Sequence, residues 1–181
     1  MQWRDNQQRY GLLRMLLHWT VALLLPLMVI LGLWLTSLGR FDPALRQALF
    51  WHQGLGLLLA LLMLLRALWR LASQTPQQGR RTPMERYVLR KVRLLLYLLV
   101  FVACVSGYLL ATGGNRELFW FDLLRMPQLL QLGMGELEQV KAMHQASVWA
   151  LCALVVLHVL AALKYQLLNK EPILQRMLGR R

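Results

Sequence analysis

Residues 142–163 read AMHQASVWALCALVVLHVLAAL, 22 residues without Asp, Glu, Lys or Arg and with a histidine toward each end, His144 and His158. A hydrocarbon core about 30 Å thick needs about 20 helical residues to cross it. Lipid offers the backbone no hydrogen-bond partners, so such a run is expected to be a transmembrane helix. The two histidines would stand ~21 Å apart along that helix and ~40° short of four full turns, on one face at two depths. An ionisable residue inside a membrane helix is a functional hypothesis by default.

Three further charge-free runs lie upstream, at 15–39, 47–65 and 94–115. Together the four runs predict an all-α membrane protein, a four-transmembrane-helix bundle in one domain over 1–181. Its helices are expected at about 12–38, 47–70, 90–112 and 142–167. The composition agrees: 57% of the 181 residues are hydrophobic, with a formal net charge of +13. High apolar content with high positive charge is the balance of a membrane protein with basic edges. It reads against nucleic-acid binding, because the basic residues are not interleaved with aromatics on a soluble fold. The first apolar run is too long for a cleavable leader and no small-residue cleavage site follows it, so none is expected.

Charge also sets the expected orientation. Sixteen Lys and Arg flank the spans on the side that holds both termini, among them Arg66, Arg70, Arg90 and Arg93, against five on the other side, Arg40, Arg46, Arg116, Arg125 and Lys141. The positive-inside rule then places both termini in the cytoplasm. The stretch from about 72 to 89, with Pro76, Gly79 and Pro83, reads as a polar connector. The second outer loop, with Leu118-Phe119-Trp120-Phe121, is too interrupted to span and is expected along the outer interface.

The chain has four histidines, His18, His52, His144 and His158, and all lie in predicted spans. His18 and His158 share the inner depth; His52 and His144 share the outer one. Each pair is placed to give two axial imidazoles to one porphyrin iron, which predicts two b-type haems, His18 with His158 and His52 with His144. Four ligands spread over ~21 Å do not serve one zinc ion. Bis-imidazole ligation suits electron transfer better than oxygen chemistry. Gly54, Gly56 and Gly107 admit either clearance for a macrocycle, Gly56 first, or close helix packing. Arg66 and Arg70 admit haem propionates as partners, though snorkelling to the headgroups is the simpler reading. Trp19, Trp51 and Trp149 read as interfacial anchors. Lys141, three residues before His144, is a candidate for anion attraction near the outer haem. Cys104 and Cys152 read as small apolar residues.

With these residues assembled, the chain resembles the bacterial cytochrome b561 family. The matching pieces are Leu17-His18-Trp19, His52 with Gly56, Gly107, Gly114-Asn115, Lys141 with His144, His158, and the tail from Ile173 with its Leu174–Met177 stretch. The resemblance implies a di-haem protein of the bacterial inner membrane that exchanges electrons with ubiquinone. Some members look like superoxide oxidases, passing an electron from superoxide at the periplasmic face to quinone. That implies an oxidoreductase here, with Lys141, then Arg116 and Arg125, as candidates for local steering of the anion. The alternatives are a cytochrome b subunit that links a partner dehydrogenase or hydrogenase to the quinone pool, and a haem-free transporter with histidines on its pathway.

Overall fold

The computed structural model describes residues 11–73, 82–171 and 173–177. Within them the chain forms four long helices, α1 (Leu12–Ser37), α2 (Leu45–Ala72), α3 (Pro83–Thr112) and α4 (Met134–Leu167), then a short α5 (Ile173–Met177). A two-stranded hairpin, β1 (Leu118–Trp120) with β2 (Leu124–Met126), lies between α3 and α4. All four long helices are long and apolar enough to cross a membrane, so the chain is a multi-pass membrane protein. Its outward faces carry large apolar side chains such as Leu23, Ile30, Leu94 and Val156, which suit contact with lipid.

The charge-free runs mark the crossings, but two helices begin well before them. The connector expected up to residue 89 is helical from Pro83 onward. Thr82 Oγ1 accepts from Glu85 N, and the Glu85 carboxylate accepts from Thr82 N at 2.8 Å, with Pro83 at the first helical position. This reciprocal cap satisfies donors that the first turn leaves open, and proline loses nothing there. Residues 74–81 of that connector lie outside the described residues. Likewise α4 starts at Met134, where Glu136 accepts from Gly133 N at 2.8 Å. At the end of α1, Thr36 and Ser37 donate their hydroxyls back to the carbonyls of Leu33 and Trp34, which gives these two polar side chains partners within the last turn.

Each long helix packs on the next in sequence, α1 on α2, α2 on α3 and α3 on α4. Among the described residues, α4 packs closely on no other long helix than α3, so its remaining bundle-facing side looks across the centre toward α1 and α2. At one end, Trp19 Nε1 donates to the Met177 carbonyl (2.9 Å) and the Tyr165 hydroxyl to Glu85 (3.3 Å). This is the terminus end. The hairpin closes the other end: Trp120 Nε1 donates to the Gly54 carbonyl at 3.1 Å. A Cβ on Gly54 would come within 2.5 Å of the Phe121 ring, so only glycine lets the hairpin seat on α2. Between the two ends lies the core, Val21, Leu24, Leu59, Val100 and Leu151, with Met28, Leu55 and Leu96 packed against it.

Candidate functional site

Two histidine levels sit on either side of that core. Leu151, in the core, is midway along α4 between His144 and His158. At the hairpin end, His52 of α2 faces His144 of α4, with ring centroids 6.4 Å apart and planes 78° apart. His144 Nδ1 lies 3.0 Å from the Ala103 carbonyl and 3.1 Å from Ser106 Oγ. A carbonyl only accepts, so Nδ1 carries the proton and Nε2 keeps its lone pair for another partner. Ser106 is fully buried and donates its own hydroxyl to the Val102 carbonyl at 2.6 Å, so its oxygen accepts from His144. His52 Nδ1 is buried and has no hydrogen-bond partner among the described residues.

Each of these rings rests on a glycine of an adjacent helix. A Cβ at Gly107 of α3 would stand 3.1 Å from His144 Cε1, and one at Gly32 of α1 would stand 3.3 Å from His52 Cε1. Backbone therefore backs both imidazoles where side chains would push them off.

This geometry can be tested against a metal held between the rings. A metal–imidazole bond is about 2.0 Å, and about 1.1 Å more separates the ring nitrogen from the centroid. Two imidazoles held on opposite sides of one metal would thus have centroids about 6.2 Å apart. The observed 6.4 Å agrees, and among the described residues the helices carrying the two rings do not pack closely on each other. The residues present fit a haem.

At the terminus end the surroundings differ. His18 of α1 has its Nδ1 2.9 Å from an Arg66 guanidinium nitrogen of α2. Arginine only donates, so here Nδ1 is the acceptor. The ring also lies 5.4 Å, centroid to centroid, from Trp19. His158 of α4 lies two turns before Tyr165, whose hydroxyl donates to Glu85 at this end. The structure thus brings His52 and His144 ring to ring at the hairpin end, and sets His18 of α1 and His158 of α4 toward the terminus end.

Residues 9–180 match the family described as prokaryotic cytochrome b561. The chain belongs to this family. It is also 32% identical to "Cytochrome b561 homolog 2" of Escherichia coli (strain K12), over 99% of this chain and 96% of that protein. As a prokaryotic cytochrome b561, the chain is a membrane b-type cytochrome of electron transfer in the bacterial inner membrane, and the family implies haem b.

The other expected site residues fall in less central places. A Cβ on Gly56 would meet the Met28 methyl of α1 at 3.4 Å and neither histidine ring. Lys141 is exposed and lies 3.9 Å from Glu138. Arg125 pairs with Glu117 at 2.7 Å. Trp51 packs edge-on against Phe50 and Phe121. Trp149 is exposed on α4. Trp19 has a specific role beyond anchoring, since it ties α5 to α1. Sequence reasoning missed Gly32 and Ser106. A lone glycine in the otherwise bulky α1, and a serine next to Gly107, were the available signals.

Proposed function

We propose that this cytochrome b561 holds two haems b, the hairpin-end one through His52 and His144 and the terminus-end one through His18 and His158. It would carry electrons from superoxide at the periplasmic face to ubiquinone. The observation that carries the reading is the 6.4 Å separation of the His52 and His144 rings, which would let both imidazoles hold one metal ion between them. In the balanced reaction two superoxide anions each give up one electron and leave as oxygen, and ubiquinone takes both electrons with two protons. The haems, when bound, supply one-electron storage at two depths.

The chain's own residues do the rest. Ala103 and Ser106 fix the His144 ring and its tautomer, and a histidine that donates to a carbonyl is a more basic ligand. Gly32 and Gly107 let the rings seat. The apolar layer of Val21, Leu24, Leu59, Val100 and Leu151 keeps water from linking the two levels. Lys141 offers a positive charge three residues from His144, at the face where an anion would arrive, though Glu138 beside it confines the effect to short range.

The test is direct. The protein is purified in detergent, and a pyridine haemochrome assay counts haem per chain, with spectra recorded oxidised and reduced. Two low-spin b haems, both reduced by added superoxide, are expected. One haem or none sinks the two-level reading, and two haems that superoxide leaves oxidised point instead to a partner dehydrogenase as donor.

A further inference from the structure

The terminus end holds positive charge that its neighbours do not neutralise. Arg66 is six residues inside the end of α2 and turns into the bundle. Its guanidinium is 2.9 Å from His18 Nδ1 and lies 5.6 Å from the centre of the Tyr97 ring on α3. Arg70, one turn on, lies 5.8 Å from the centre of the same ring. Among the described residues neither guanidinium has a carboxylate partner.

Snorkelling accounts for Arg70, near the helix end, but not for Arg66. A snorkelling side chain extends toward the headgroups, whereas Arg66 folds onto the half-buried His18 of α1. Arginine stays charged in a membrane, and two guanidinium groups around one ring repel each other more strongly as the local dielectric falls. The arrangement is complete only with an anion. The His18 contact cannot serve as the final partner either. A neutral imidazole bound to iron through Nε2 carries its proton on Nδ1, where arginine has nothing to accept it. Metal binding at His18 therefore releases the Arg66 guanidinium toward another acceptor close by.

We propose that Arg66 and Arg70, gathered by Tyr97, form an oxyanion site that receives the propionate carboxylates of the haem on His18 and His158. The inference rests on the two-level haem reading above. Guanidinium groups suit carboxylates through paired, charge-assisted hydrogen bonds. The phosphate of an anionic phospholipid has the same chemistry and is the competing source.

The experiment uses the full chain with haem, as wild type, Arg66→Met, Arg66→Lys and Arg70→Met. Haem per chain, the potential of each haem and the rate of haem loss to excess apomyoglobin are measured. Arg66→Met is expected to speed loss of one haem at least about tenfold and to lower its potential, since a cation favouring the reduced state is gone. The hairpin-end haem should keep its rate and potential, which shows that the variant is folded. Arg66→Lys should recover the potential more than the retention, because lysine restores charge without the fork. Arg70→Met should follow Arg66→Met in direction. Unchanged loss rates and potentials in both methionine variants overturn the proposal. So does a variant that keeps both haems unaltered but loses a co-purified anionic phospholipid by native mass spectrometry, which assigns the site to lipid. A wild type with fewer than two haems, or His18→Ala with an unchanged count, refutes the underlying reading instead.

Discussion

Replacing Gly107 with alanine should weaken the haem while leaving the helix as stable or more so. The new Cβ would stand 3.1 Å from His144 Cε1 and 3.5 Å from its Nδ1. Ordinary carbon–carbon contact is about 3.5–4.0 Å, so the ring must retreat from α3 by about half an ångström. Its two hydrogen bonds run back to that same helix, to Ala103 O at 3.0 Å and Ser106 Oγ at 3.1 Å. The retreat stretches both to about 3.5 Å, the edge of useful geometry. Losing one net hydrogen bond costs about 1 kcal/mol, roughly five- to tenfold in haem affinity. Alanine meanwhile favours the helix by up to about 1 kcal/mol over glycine. The expected signature is therefore split: thermal unfolding of the haem-free chain unchanged or raised, and one haem lost about tenfold faster. Gly135→Ala is the control, since nothing lies within 4 Å of a Cβ at that exposed position of α4, and it should leave haem retention unchanged. Equal haem retention in Gly107→Ala and wild type would refute the claim that this glycine seats the ligand.

Gly54→Ala drives a Cβ into the Phe121 ring and breaks the Trp120–Gly54 bond; hydrogen exchange in residues 118–126 should rise by at least about tenfold, and unchanged protection would refute the docking role. His52→Ala should leave the chain with half the wild-type haem and an unaltered terminus-end haem; a full haem count would remove His52 from the ligand set. Lys141→Gln should slow haem reduction by superoxide by less than about threefold and flatten its salt dependence, because an exposed charge beside Glu138 acts only locally. A slope of rate on ionic strength identical to wild type would exclude Lys141 from steering.

How far the sequence reveals this protein depends on the range of the interaction concerned. Membrane crossing is written in local composition, so the four runs are read directly. Depth pairing of the histidines is legible because helix rise is constant, and α4 carries His144 and His158 at fixed separation. Helix starts outside the membrane are set by caps: Thr82-x-x-Glu85 and Pro83 were visible as a start signal, but the charge-free criterion ends at residue 94 and passes over them. The glycine seats were beyond reach. Gly32 is 20 residues from His52 in sequence, and which α1 residue abuts that ring depends on how α1 and α2 slide along each other. The direction of Arg66 was equally hidden. Its place near a helix end favours snorkelling, and only the position of His18 on the neighbouring helix turns it inward.

In the proposed two-haem reading, the two levels differ in a way that would set the direction of electron flow. His144 donates to a backbone carbonyl, which adds basicity to the ligand and favours the oxidised iron. The terminus end has the Arg66 and Arg70 guanidinium groups gathered at Tyr97, and a cation near a haem favours the reduced iron. By contrast, no arginine touches the His52 or His144 ring among the described residues. The terminus-end haem should therefore have the higher potential, so that an electron entering at the hairpin end moves inward across the apolar layer. A potentiometric titration should resolve two one-electron waves, and His52→Ala should remove the lower one. If His52→Ala removes the upper wave instead, the order is reversed, and local ligand chemistry at these histidines does not set the potentials.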